Sequence, residues 1–242
     1  NDEAPMFIEP RYRFYVEEKQ SGGSIVGSLV AEDKDSAPFS SFVYILQESR
    51  DAMQFEVNPS TGVLKTRGEL DRESSSMYHL VVEAVDTHDH TLTSAVYVDV
   101  AVSDVNDNYP KIHYPTSEND TVYISNHVPV GYTILKVQAT DDDMGQNANL
   151  SFLLTHNEDE AFMIDPMQGI LETNKDFSNF ATKDYTITII VKDNGEPQKA
   201  ATSRVKIVID SAIAYDFASS GLVRQSNLTI IIAVATVSGL IM

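Results

Sequence analysis

Cysteine is absent from this 242-residue sequence, which excludes disulfides, zinc–thiolate sites and thiol catalysis. That absence alone assigns no compartment. Basic residues are scarce: 17 Lys and Arg stand against 36 Asp and Glu, giving a formal charge of −19. Nucleic acid needs a basic face to neutralise its phosphates, so that class of partner is excluded. No stretch before residue 227 sustains a 3.6-residue apolar period, so long helices are not expected there. Signatures of catalysis are missing too. The six histidines (His79, His88, His90, His113, His127, His156) are scattered, and His88-x-His90 reads as a solvated loop pair. Ser and His occur without a nucleophile elbow or an oxyanion-hole motif. Asp141-x-Asp143-x-Gly145 starts like an EF-hand loop, but that loop needs a Glu at its twelfth position and a helix on either side.

What the chain does carry is oxygen. Asp104-Val105-Asn106-Asp107-Asn108-Tyr109-Pro110 is a dense set of carboxylates, amides and carbonyls ending in proline, and Asn1-Asp2-Glu3-Ala4-Pro5 is a shorter version. Such a set suits Ca2+, which takes six to eight oxygens in flexible geometry. Paired carboxylates also serve glycosidases, but acids on a linker with repeat spacing imply no cleft, and an enzyme is not expected.

The linkers bracket an internal repeat. Phe55–Leu64 answers to Phe162–Leu171 at an offset of 107, with Asn58-Pro59-Ser60-Thr61-Gly62 set against Asp165-Pro166-Met167-Gln168-Gly169. Ala31-Glu32-Asp33-Lys34-Asp35 answers to Ala139-Thr140-Asp141-Asp142-Asp143, and Val85-Asp86 to Lys192-Asp193. Within each copy apolar residues alternate, as in Tyr78, Leu80, Val82, Ala84 and in Tyr185, Ile187, Ile189, Val191, which is the pattern of half-buried strands. Pro-x-x-Gly turns separate short strands. About seven strands in about 100 residues predict an antiparallel Greek-key sandwich. The fold class is therefore all-β: two tandem seven-stranded β-sandwiches, followed by the start of a transmembrane helix. Residues 227–242 (NLTIIIAVATVSGLIM) carry no charge, and a span needs roughly 20 apolar residues; a buried terminal strand, suggested by the β-branched Ile230-Ile231-Ile232, is the competing reading. The chain opens inside a linker, which predicts a fragment of a longer protein.

These residues resemble the cadherin superfamily, and specifically the last two extracellular repeats of a protocadherin. The resemblance rests on the Asp104–Asn108 linker, Leu70-Asp71-Arg72-Glu73, Ala139-x-Asp141-x-Asp143-x-Gly145-x-Asn147, and Val191-Lys192-Asp193-Asn194-Gly195-Glu196-Pro197 with Gly131-Tyr132 upstream. It implies repeats at 1–104 and 105–210, a stalk at 211–226 and the membrane helix from 227. It also implies a three-calcium joint. Its ligands would be Glu18, Asp71 and Glu73 from the first repeat, and Asp104, Asn106 and Asp107 from the linker. Val105 and Asn108 would add backbone carbonyls; the second repeat would give Asp141, Asp143, Asp193 and the Asn147 carbonyl. Two carboxylates about 5 Å apart repel by roughly 3 kcal/mol at an effective dielectric of 20, so this arrangement predicts a joint rigid with Ca2+ and splayed without it. A second, partial site is implied at Asn1, Asp2, Glu3, Asp33, Asp35 and Asp86. There Glu3 replaces Asn, and Ser36-Ala37-Pro38 replaces the Gly and Asn that follow Asp35 in the pattern.

The second repeat has Asn174-Lys175-Asp176-Phe177-Ser178 in place of a D-R-E motif, and no D-x-N-D-N follows Ile209-Asp210. By resemblance, this is the membrane-proximal, extracellular end of a single-pass type I plasma-membrane protein in calcium-dependent adhesion. Its partners would be cadherin-like molecules on the same or the apposed cell, homophilic ones included. A passive spacer is the competing reading. Asn119 and Asn149 head glycosylation tripeptides, and Asn227 heads a third close to the bilayer. Tyr12, Phe14, Phe39 and Phe42 are candidates for an exposed apolar patch, with the core as the expected place for most of them.

Overall fold

The computed structural model describes residues 1–215. The expected membrane segment, and all but the first residues of the expected stalk, lie outside that range. Among the described residues no helix is long and apolar enough to cross a membrane.

The described chain is all-β, and each half contributes nine strand segments. The first half holds β1 (Met6–Phe7), β2 (Arg11–Glu17), β3 (Ile25–Ser28), β4 (Ala31–Glu32), β5 (Phe42–Leu46), β6 (Phe55–Val57), β7 (Val63–Thr66), β8 (Met77–Asp86) and β9 (Thr93–Ser103). The second half repeats them as β10 (Lys111–Tyr114), β11 (Thr121–Ser125), β12 (Thr133–Lys136), β13 (Gln138–Thr140), β14 (Ser151–Thr155), β15 (Phe162–Ile164), β16 (Ile170–Thr173), β17 (Thr182–Lys192) and β18 (Ala200–Asp210). A four-stranded sheet, β2-β9-β8-β5, faces a three-stranded one, β3-β7-β6; the second half gives β11-β18-β17-β14 and β12-β16-β15.

Nine segments arise from seven expected strands because two strands are interrupted. The first changes partner: β1 pairs antiparallel with β4, whereas β2 runs parallel to β9. Pro10 lies in that crossing and Pro115 in the equivalent one between β10 and β11; proline has no N–H to give a ladder. The second strand is broken between β3 and β4, after a register shift between Ile25 and Gly27.

Alternation decides which face is buried. Leu80, Val82 and Ala84 of β8 meet Val96, Val98 and Val100 of β9 in the first core, all at most 2% exposed. In the second core Ile187, Ile189, Val191, Val205, Ile207 and Ile209 are fully buried. Each such side chain contributes about 1.5–3 kcal/mol through burial. The two cores share no residue, so each repeat supports itself and apolar packing does not join them. Tyr12 is in the first core with Phe14 and Phe42 packed against it, while Phe39 stays exposed.

The Pro-x-x-Gly turns close as expected. Asn58 Oδ1 accepts from the Ser60 and Thr61 N–H groups, both at 3.0 Å, and Asp165 Oδ1 from Met167 and Gln168 at 2.8 and 2.7 Å. Gly62 and Gly169 take φ of +67° and +66°, and a Cβ on Gly62 would overlap the Leu29 carbonyl. Glycine is required there.

Candidate metal centre at the joint between the repeats

Residues 104–110 link the two cores, and two segments of the first repeat, the end of β2 and the Asp71–Glu73 loop, converge on them. Glu18 follows β2 and is 1% exposed. Its two oxygens accept from the Arg72 N–H at 2.8 Å and the Val105 N–H at 2.9 Å, so one buried carboxylate ties the Asp71–Glu73 loop to the linker. Carboxylate oxygens of Glu18, Asp71, Glu73 and Asp107 lie within 4.8 Å of one another, as do those of Glu73, Asp104 and Asp143. Glu73 belongs to both groups and Asp143 comes from the second repeat, so the acids form one continuous cluster across the joint.

The second repeat approaches through its own loops. Asp143 accepts from the Asn108 N–H at 3.2 Å and from Asn108 Nδ2 at 2.7 Å; its own N–H donates to Asp141 Oδ1 at 3.1 Å. Asn147 Nδ2 and the Met144 N–H donate to Asp104 Oδ2 at 2.8 and 3.1 Å. Asp193 is fully buried. It accepts from the Lys199 and Gly195 N–H groups and from Asn106 Nδ2, which also donates to the Pro197 carbonyl at 2.7 Å. Six of the eight expected carboxylates fall in the two groups; Asp141 adjoins them through Asp143, and Asp193 lies outside them, bonded to Asn106.

The charges act on each other. Burial, reinforced by Glu18 and Asp107, pushes the Glu73 carboxyl above the ordinary carboxylate range. Burial also raises Asp143, and Asp141 and Asp104 push the same way. Asp71 goes down, held by Lys19 and by the Ser74 hydroxyl.

Three cations, which sequence reasoning had not assigned to the joint, stand among the acids. Arg72 Nε donates to Asp104 at 2.5 Å; its Nη2 donates to Glu73 and, at 2.7 Å, to the Asp142 carbonyl of the second repeat. Lys19 Nζ lies 2.7 Å from Asp71 Oδ1 and 3.0 Å from Asp107 Oδ2. Lys199 Nζ donates to the Asp107 carbonyl at 2.9 Å and stands 4.5 Å from the centre of the Tyr109 ring. The available signal was adjacency: Lys19 follows Glu18, and Arg72 separates Asp71 from Glu73.

A hard cation suits the donor set, which is entirely oxygen. Asp141 Oδ2 and Asn106 Oδ1 are buried without a hydrogen-bond partner, and buried acceptors are seldom left so. Ca2+ fits these residues.

The N-terminal residues repeat the geometry at smaller scale. The Glu3 N–H donates to Asp35 Oδ2 at 3.2 Å, as Asn108 does to Asp143, and the Asp35 N–H donates to Asp33 Oδ1 at 2.9 Å. The Asn1 amide reaches Asp86, as Asn106 reaches Asp193. Asp33 Oδ2 is a further buried oxygen without a partner. Asp86 is held below its usual range by the Asp89 and His88 N–H groups. Asp2 joins neither acidic group.

The cadherin-domain family model matches residues 12–103 and 120–210. The chain belongs to the cadherin family. Protein dachsous of Drosophila melanogaster is 34% identical over 213 residues, covering 86% of this chain and 6% of the relative. Mouse Protocadherin Fat 2 is 32% identical over 214 residues, covering 86% and 5%. The chain therefore spans only about one-twentieth of the length of these relatives. Among solved structures, the protocadherin gammaB7 EC3-6 cis-dimer superposes with a TM-score of 0.77 at 26% identity, over 86% of this chain and 51% of that one. Mouse cadherin-23 EC22-24 gives 0.75 at 28% identity, over 86% and 65%. Cadherin repeats are adhesion domains and not enzymes, and this chain carries two of them, protocadherin-like in sequence and in fold.

Proposed function

We propose that this cadherin chain is the membrane-proximal part of a calcium-dependent cell–cell adhesion protein, with its two repeats held in fixed orientation by Ca2+ at the joint. The observation that carries the proposal is the convergence of carboxylates from both repeats on the linker, with two further oxygens of the same loops, Asp141 Oδ2 and Asn106 Oδ1, buried and unpartnered. Bound Ca2+ supplies positive charge that lets these acids stay close and cross-links the repeats. Glu18, Asp71, Glu73, Asp104, Asn106, Asp107, Asp141, Asp143 and Asp193 would hold it by side chains, and Val105, Asn108 and Asn147 by carbonyls. Asn1, Asp2, Glu3, Asp33, Asp35 and Asp86 would form half of a second site facing a preceding repeat.

The far pole of the second repeat supports the membrane-proximal placement. Register makes Ser125 close β11·β18 as Glu17 closes β2·β9, so Asn126 stands in the place of Glu18. Phe177, buried like Leu70, is followed by Ser178, Asn179 and Phe180 in the places of Asp71, Arg72 and Glu73. Asn126 Nδ2 donates to the Phe180 carbonyl at 2.8 Å, and Lys175 and Lys183 stand 5.8 and 5.4 Å from the Phe180 ring centre. Among the described residues no acidic group like that of the joint is built there. In this reading residues 211–226 are the stalk, 227–242 the membrane anchor, and the repeats face the extracellular side with cadherin-like partners.

Calcium titration of a soluble protein of residues 1–215 tests the proposal, read by thermal unfolding and small-angle scattering with and without EGTA. Near millimolar Ca2+, about the range of extracellular modules, the melting temperature should rise and the envelope should become stiffer. Asp107→Ala should weaken calcium binding by about tenfold or more and restore the splayed envelope. Absence of any calcium response would remove the proposal's physical basis. Sedimentation of the same protein separates a self-associating cis module from a passive spacer, which stays monomeric.

A further inference from the structure

The two cations that meet the carboxylates of the cluster directly, Arg72 and Lys19, are not equivalent. Arg72 has a side chain only 13% exposed and is tied at three points: Asp104, Glu73 and the Asp142 carbonyl. A planar guanidinium held this way is a fixed part of the joint. Lys19 differs in each respect. Its side chain is 41% exposed, and it meets the cluster from the rim with a single ammonium. The two carboxylates it holds, Asp71 and Asp107, belong to the four-carboxylate group that the proposed calcium reading requires. Its backbone is also unusual. Lys19 has φ of +57°, a conformation side-chain-bearing residues rarely adopt, and its N–H donates to the Leu70 carbonyl at 3.0 Å. The loop is held in the left-handed region at the point where the ammonium turns back over Asp71 and Asp107.

We propose that Lys19 is a built-in competitor for the outer cation position of the joint, so that calcium held by Glu18, Asp71, Glu73 and Asp107 must displace its ammonium into solvent. The inference rests on the calcium reading above. Lys19 makes no hydrogen bond or ion pair with the inner group (Glu73, Asp104, Asp143). Loading therefore divides into two classes, with the outer class weakened by competition and the inner class unaffected. In a cadherin this sets the calcium concentration at which the last ion enters and the joint reaches full stiffness.

The test is calorimetric Ca2+ titration of residues 1–215, which contain both complete cores, comparing the unaltered protein with Lys19→Gln. Lys19→Asn is the second variant, since Asn tolerates positive φ and keeps the loop intact if Gln does not. Lys111→Gln is the control: Lys111 pairs with Asp142, whose side chain lies outside the ligand set. Removing two exposed ion pairs should tighten the weaker class by about two- to tenfold, leave the tighter class unchanged, and reduce the salt dependence of the weaker one. The Lys111 variant should match the unaltered protein. Isotherms of both Lys19 variants identical to the unaltered protein overturn the role of Lys19 and leave the calcium reading standing. Absence of calcium binding in every protein overturns both.

Discussion

Asp99 lies between Val98 and Val100 on the outward side of β9, where alternation places solvent-facing residues, yet it is only 3% exposed. Three side chains cover it. Arg11 Nη2 lies 2.8 Å from Oδ2, His79 Nδ1 lies 2.8 Å from Oδ1, and Arg13 approaches to 4.0 Å. Arg13 and His79 are its direct cross-strand partners and Arg11 reaches it diagonally. Arg11 first, then His79, hold the Asp99 carboxyl below its usual range. A depressed carboxylate contributes stability above its unfolded pKa, about 3.9, and loses it as pH falls through the folded value. The stability gap between the unaltered protein and Asp99→Asn should therefore be largest near neutrality and close below about pH 4. Denaturant unfolding across that range measures it, and a gap independent of pH would show that the cluster is held by packing alone. Nothing in the alternation distinguished Asp99 from a solvated acid, because its cover comes from other strands, chiefly β2, whose Arg11 lies 88 residues away.

At the scale of elements, the loop between β17 and β18 shows how closely the second repeat must approach the linker. A Cβ on Gly195 would overlap the Asn106 side-chain amide and Asn147 Oδ1. Asn106 has little room to yield, being 5% exposed and fixed to Asp193 and the Pro197 carbonyl. Gly195→Ala should loosen the joint and lower calcium affinity by about tenfold, the scale of a displaced supporting residue. The second repeat's own unfolding in EGTA should be nearly unchanged, since Gly195 lies outside the core. Titration and melting of the one variant check both halves. The motif around Gly195 was legible in the chain, whereas its reason was not: the neighbour is 89 residues away.

For the whole molecule, separate cores and a polar joint give a linkage that depends on conditions. Phe162 is 2% exposed between Phe177 and Tyr185, with ring centroids at 5.8 and 5.2 Å. Phe162→Ala should cost the second repeat about 3–5 kcal/mol. In EGTA that loss should appear in the second repeat's transition alone. With calcium the first repeat should share it, because ligands from both repeats would melt together. Calorimetric scans resolve the two cases, and a first repeat indifferent to Phe162→Ala in calcium would mean the joint does not couple the domains.

The sequence alone determined the all-β class, the two-fold repetition, the turns and the oxygen-rich linker between the repeats. Each follows from local information: period-two alternation, glycine where φ is positive, and an oxygen cluster written contiguously in residues 104–108. Tertiary structure decided the rest. It split the first strand between two partners, covered Asp99, placed Arg72 across the joint onto the Asp142 carbonyl and turned Lys19 over Asp71 and Asp107. These depend on which distant segments share a strand edge or a loop. A charge's neighbours in space, unlike its neighbours in sequence, exist only once both cores have closed.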